Sequence, residues 1–404
     1  MSANPVNAWD MLVQAITETT HGTTPAPAST AAYAALCVES INCSLGPAET
    51  GVIRAKQDRN DGRGPNSGFV EGRVMPIGWT FDTTIKSRAA IDTASHLLAF
   101  FKAAGMLHTI NGSTNVTITL PKQPIEGGTF AGMTLRRFLG SGLAGSEAET
   151  LRGCVVKALA ISGGAGELLA KFSGVGMGKT TAAGFAGVQG KLDSITVADN
   201  STTTITISAD ESYRFGPGYY LWESEIILVT ACTPGGTSAT ITRGALASVA
   251  AAHTSQPIVP YRPTPTWVGS PIAEPTSTVT IDGVACRARS WSLELTTGMD
   301  LLEPETGSRY SQGAKSVRTD AKLSVQLVLS GAQVSLLGKA TAKKSVAVAI
   351  VQGTGTGGVF TLNVPAAEIV APNVPDTAGD IAVVDVSIRL YEATPDTLLN
   401  IVLT

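Results

Sequence analysis

The chain is short of charge, aromatic rings and histidine. Charged residues make up 15% of its 404 residues, against about 25% in an average soluble domain. Lys and Arg number 29 and Asp and Glu 32, so no basic excess marks a nucleic-acid footprint. The four histidines, His21, His96, His108 and His253, fall in four separate elements. No apolar run approaches the ~18 residues of a membrane helix, which predicts no membrane span. Met1 to Thr20 has neither a basic start nor an apolar core. No secretory leader is expected, so the product is expected to be made and kept in the cytoplasm or to leave by another route. Cys37, Cys43, Cys154, Cys232 and Cys286 are odd in number and widely spaced, without a CxxC pair. Buried, reduced thiols are expected rather than disulfides or a metal site.

Apolar and small residues are plentiful instead. Hydrophobic residues reach 43%, enough to exclude a disordered chain. The length predicts two or three domains. Period-2 alternation recurs at Val116, Ile118, Leu120; at Leu323, Val325, Leu327, Leu329; and at Val384, Val386, Ile388, Leu390. The fold class expected is mainly β. One amphipathic helix is predicted over Ala89–Ala104, stopped by Gly105, and a shorter one from Ser330.

Two stretches repeat one plan: strand, long charged loop, strand, helix, strands. The first takes Val38–Leu45, loop Gly46–Gly68, then Phe69–Thr84 and the main helix. The second takes Arg289–Thr297, loop Gly298–Ser316, then Val317–Leu329 and the short helix. Between them, Gly184–Trp267 carries its own short strands and ends in Pro257–Pro265, expected to be a stiff linker. Thr278–Ile281 and Val284–Arg287 flank Asp282-Gly283, a type I′ hairpin signal. The organisation expected is an N-terminal arm (1–34), a first half (35–183), an inserted small β-domain (184–267) and a second half (268–404).

Chemical motifs fail on spacing. Gly174-Val175-Gly176-Met177-Gly178-Lys179-Thr180 approaches a phosphate loop, but Ser173 stands where the first glycine belongs, and no apolar-periodic helix follows. A flexible joint is expected there. GxSxG and HExxH are absent, and Asp58, Asp61 and Gly62 lack the closing Glu of a calcium loop. No enzyme, catalytic residue, metal or cofactor is expected. A hydrolase or nucleotide-binding reading rests only on the defective loop. The two charged loops mix both signs: Arg54, Lys56, Asp58, Arg59, Asp61 and Arg63 in one, Glu303, Glu305, Arg309 and Lys315 in the other. Mixed charge on long loops points to contacts between copies, and these ten residues are the candidates.

Four features carry a resemblance. The stretch Ala15-Ile16-Thr17-Glu18-Thr19-Thr20-His21-Gly22-Thr23-Thr24 resembles the opening of tail tube proteins of long-tailed bacteriophages. The strands of Leu151–Gly174 resemble the paired strands of those proteins, and so does the strand–loop–strand of Trp291–Leu329. In the insert, Thr242-Arg243-Gly244 followed by Ala250-Ala251-Ala252-His253 resembles small β-domains grafted onto phage tail proteins. The resemblance implies two tube-type β-sandwich halves, each with one flanking helix, plus a surface-decorating insert. It implies a virion structural protein whose rings stack into a tail tube, a conduit for DNA ejection. Family rings hold six tube domains, so a homotrimeric ring with pseudo-sixfold symmetry is expected, a hexamer being the alternative. Implied partners are further copies, a tape-measure protein and tail-terminator or distal-tail proteins. Double-stranded DNA would slide past lumen positions that are neutral or acidic. A distal-tail, baseplate or adhesin component is the other structural reading.

Overall fold

Alternating apolar and polar residues dictate strands, and the protein is mainly β. The computed structural model describes residues 11–25, 27–46, 76–87, 96–111, 115–121, 130, 132–140, 147–164, 166–179, 188–265, 269–272, 277–302, 311, 313–316, 318–328, 336, 338–354, 358–372, 376–378, 381–391 and 397–403.

The first half holds β1 (Met11–Thr17), α1 (Thr30–Ala35), β2 (Cys37–Val38), β3 (Asn42–Leu45), β4 (Ile77–Thr84) and α2 (His96–Ala103). It continues with β5 (Leu107–Asn111), β6 (Asn115–Leu120), β7 (Met133–Leu139), β8 (Glu147–Gly163), β9 (Leu169–Gly176) and β10 (Val188–Gln189). The insert holds β11 (Leu192–Val197), β12 (Thr204–Thr206), α3 (Ala209–Ser212), β13 (Gly218–Trp222), β14 (Glu225–Cys232), β15 (Ser238–Thr242) and β16 (His253–Pro260). The second half holds β17 (Thr278–Ile281), β18 (Val284–Cys286), β19 (Ala288–Thr296), β20 (Met299–Leu301), β21 (Ala314–Ser316) and β22 (Asp320–Val328). It ends with β23 (Ser345–Gln352), β24 (Phe360–Pro372), β25 (Asp376–Ala378), β26 (Ile381–Leu390) and β27 (Leu399–Leu403). A short helix within 336–341 precedes β23.

Strand order is the same in both halves. One layer runs β3–β4–β9–β8 in the first half and β19–β22–β26–β24 in the second. The other runs β2–β1–β7–β8–β10 and β18–β17–β23–β24–β27. The long strands β8 and β24 serve both layers. Gly153, at φ 59°, stands where β8 passes from its β7 pairing to its β9 pairing. That left-handed backbone is one a residue with a Cβ adopts at a cost.

The halves join twice. β8 pairs antiparallel with β19, making one layer continuous over eight strands: β3–β4–β9–β8–β19–β22–β26–β24. In the other layer β6, from the β5–β6 hairpin that only the first half carries, pairs with β27. Between the layers lies one contiguous cluster of buried side chains drawn from both halves. Phe100 of α2 packs against Phe81 and Phe172 at 4.6 Å each. The halves therefore share a core.

Several expectations need adjusting. The main helix is present as His96–Ala103, with Leu98 and Phe101 buried; residues 88–95 lie outside the described ones. Asp282 and Gly283 take φ 50° and 78°, as a type I′ turn requires. The N-terminal stretch is more than an arm: β1 sits inside a sheet between β2 and β7, its apolar run buried. The expected linker Pro257–Pro265 is strand as far as Pro260, paired with β11 and β13. Pro257 is tolerated because the β13 pairing begins only at Ile258 and the β11 register slips between Leu192 and Ile195, so no ladder amide is missed there.

The insert is a sheet ordered β11–β16–β13–β14–β15–β12. It packs firmly on the first half. Tyr219 and Tyr261 flank Tyr33 of α1 at 5.1 and 5.7 Å. The buried Arg136 guanidinium lies 5.2 Å from the Phe138 ring and donates to the Tyr33 hydroxyl. Leu12, Cys37, Ile226 and Leu246 close this cluster.

Candidate functional site

The eight-stranded layer turns one face to the core and the other to solvent. Its solvent face is built from residues that alternate with buried ones, such as Leu293 and Leu295 on β19. Read across the strands by register, it falls into rows. One row is Ser162–Ser292–Ser324–Ser387, four serines side by side. Another is Ser44–Thr80–Ser173–Ala158–Thr296–Asp320. A third carries charge: Asn42–Asp82–Lys171–Ala160–Glu294–Lys322–Arg389–Glu368. In this row each cation has a carboxylate on a neighbouring strand: Asp82 beside Lys171, Glu294 beside Lys322, Glu368 beside Arg389. Cross-strand neighbours stand ~5 Å apart at Cβ, close enough for each carboxylate to offset its cation.

Both ends of this layer are open. Among the described residues β3 pairs only with β4, and Ala371, Pro372 and β25 pair only with β26. Exposed apolar residues stand at these ends: Ile41 beside β3, Val370 on β24 and Tyr391 just past β26.

No protein-family model matches the chain. No curated protein matches it.

Of the ten loop candidates, Arg54, Lys56, Asp58, Arg59, Asp61, Arg63, Glu303, Glu305 and Arg309 lie outside the described residues. Lys315 is described: it is exposed on β21, opposite Asp300 of β20. The second charged loop thus contains a hairpin that the sequence reading missed, although the alternation Met299, Leu301 signalled it. Met299 and Leu301 pack on Val155, Val175 and Met177, so the loop of the second half crosses onto strands of the first. Lys157 Nζ meets Asp300 Oδ2 at 3.2 Å across the same boundary.

The defective phosphate loop has a structural role. Gly174 and Gly176 belong to β9, not to a joint. A Cβ on Gly174 would lie 1.9 Å from the Val155 carbonyl oxygen, so the glycine is there for close approach of β8. Lys179 is buried, with Nζ 3.3 Å from Glu149 Oε1, and Arg137 Nε donates to Glu149 Oε2 at 3.0 Å. Its ammonium is committed to a carboxylate.

The insert motif also converges. Arg243 donates from Nε and Nη2 to the two Glu225 oxygens at 2.7 Å each, and the Gly244 and Ala251 amides donate to the same carboxylate at 2.9 and 3.1 Å. His253 Nε2 lies 2.8 Å from Glu225 Oε2, its Nδ1 lies 2.6 Å from Glu223 Oε2, and its ring stacks on Trp222 at 4.2 Å. Burial works to raise the Glu225 carboxyl; hydrogen bonds from Arg243, His253 and the two amides outweigh it and hold the group at about 2. Glu225, the hub, was not visible in the sequence because it lies far along the chain from the motif it organises.

Glu18 plays a similar part in the N-terminal motif. Its buried carboxylate accepts from Gly22 N at 2.6 Å, Thr134 Oγ1 at 2.6 Å and Gly153 N at 2.9 Å. It fastens the turn after β1 to the bend of β8. Burial lowers the neighbouring His21, which Glu18 partly counters. Among the described residues no group of three His, Cys, Asp or Glu side chains could hold a metal, and no helix is long and apolar enough to cross a membrane.

Proposed function

We propose that the chain is a structural virion protein of the tail tube type, polymerising as stacked rings into a conduit for DNA ejection. The observation that carries this reading is the duplicated strand order running through one eight-stranded layer with both edges open. A sheet of this kind gains by meeting further copies until it closes, because closure removes unpaired edges. Three chains supply six halves, the number the resemblance implies, giving a homotrimeric ring with pseudo-sixfold symmetry. Rings stacked head-to-tail propagate as a tube.

The solvent face supports the conduit role. It offers rows of Ser, Thr and Ala, and its cations Lys171, Lys322 and Arg389 each adjoin a carboxylate. Each of these faces a carboxylate across the ladder, which lowers the local positive potential that gripping phosphate needs. The firm packing of the insert on the first half suits a fixed outer decoration. A tape-measure protein inside and terminator or distal-tail proteins at the ends are the remaining partners of this reading, and the virion tail its location.

Electron microscopy of the purified, assembled protein tests the reading. Tubes with three chains per ring are the expected outcome. Six full chains per ring would overturn the fused-half arrangement, and finite particles without tubes would favour a distal-tail or baseplate component.

A further inference from the structure

We infer that the seam between the two halves is repeated between chains, so that β3 of one copy docks on β24 and β25 of the next in a register the chain already displays internally. The inference rests on the ring reading for the number of copies, but the docking itself follows from the duplication.

The correspondence is residue by residue. The β8–β9 ladder slips by one residue between Val156 and Ala158, and the β24–β26 ladder slips in the same place, between Ile369 and Ala371. Lys157 therefore corresponds to Val370. Counting along β9 and β26 from the partners of Val156 and Ile369, Gly174 and Ile388, Met177 corresponds to Tyr391. Ser162 lies opposite Leu169, and Asp376 opposite Val383, at the matching step. On the other side, Ser44 opposite Thr80 matches Ser292 opposite Ser324, because Thr80 faces Ser173 as Ser324 faces Ser387.

Inside the chain these positions are occupied. Ser162 pairs with Ser292. The Thr297 amide donates to the Lys157 carbonyl at 2.9 Å, and the β20–β21 hairpin covers Met177. At the chain's end the same positions are bare: Val370 is 57% and Tyr391 39% exposed. At the opposite edge Ile41 is 60% exposed although it shares the core-facing side of β3 with the buried Cys43 and Leu45. A second copy of this chain, presenting β3 to β24 and β25, pairs the two open edges and places Ser44 opposite Asp376.

The two junctions differ in one respect. Within the chain the β6–β27 pairing reinforces the seam in the other layer. The second half passes from its short helix to β23 with no hairpin corresponding to β5–β6 among the described residues, and β10, the counterpart of β27, pairs over only two residues. The junction between chains is thus single-layered, and assemblies part between chains before halves part within one.

Cysteine pairs in the full chain test this. S162C/S292C closes an intrachain disulfide and shows that the geometry permits one at this step. S44C/D376C, oxidised after assembly, is expected to give linked dimers and trimers on a non-reducing gel, while S44C/A378C, two residues out of register, gives monomers. Rings or tubes in the microscope that stay unlinked as S44C/D376C would overturn the inference and leave the conduit reading standing. Linked oligomers that form no tube would support the inference and sink the conduit reading.

Discussion

Lys179 Nζ lies 3.3 Å from Glu149 Oε1 inside the protein, with Arg137 on the carboxylate's other oxygen. An ammonium so placed cannot serve a nucleotide. Lys179→Ala should leave ATP binding as it is in the native chain, undetectable by calorimetry. It should lower stability by less than the ~3–5 kcal/mol of an orphaned buried charge, since Arg137 still holds Glu149. A denaturant melt measures the loss; saturable ATP binding abolished by the substitution would contradict the assignment.

The same residues show where sequence reading succeeds and where it stops. Alternation at Val384, Val386, Ile388 and Leu390 marked a strand because a one-sided sheet imposes period 2 on its own chain. The Asp282-Gly283 turn was legible for a similar reason, being local backbone chemistry. The glycines of β9 were misread as a joint, because their cause is the Val155 carbonyl and the Leu151 side chain on another strand. The charges of the loop hide β20 and β21, whose packing partners are Val155 and Met177 of the other half. Whatever is decided by residues distant in the chain, including which charges of the solvent face stand on neighbouring strands, needs the register.

Glu225 gives the insert an acid limit. Its folded value of about 2 lies below the ordinary 4.5 of a glutamate. A depressed carboxyl favours the folded state in full above its unfolded value, and that gain disappears as pH falls toward the folded value. Stability of the insert should therefore hold above pH ~5 and decline from there toward pH ~2. Glu225→Gln should remove this part of the pH dependence and cost about 3–5 kcal/mol at neutral pH, because Arg243 is left buried without its partner. Trp222, stacked within the network, makes its fluorescence the reporter.

The thiols should be silent in the native protein. Burial pushes Cys37 and Cys43 up to about 12 and Cys154 well above its ordinary value. All five cysteines are free and buried. Only thiolate reacts, so a maleimide at pH ~8 should label none of them until denaturant is added. Rapid labelling of any one in the native state would place that residue at the surface.

If the solvent face lines a DNA conduit, its carboxylates have a purpose beyond solubility. Asp82 and Glu294 stand directly across from Lys171 and Lys322 in one row. Exposed pairs of this kind add little to stability, ~0–1 kcal/mol, so neutralising the carboxylates should not unfold the chain. It should instead leave two lysines facing the lumen without a counter-charge. Asp82→Asn with Glu294→Gln is expected to bind labelled duplex DNA where the native protein does not. The binding should weaken steeply with salt, with a slope that rises by about one for each freed lysine that meets a phosphate. Adding Lys171→Ala and Lys322→Ala should abolish it. Equal DNA binding by native and neutralised assemblies would mean that the row does not govern how the wall meets phosphate, whatever the tube's symmetry.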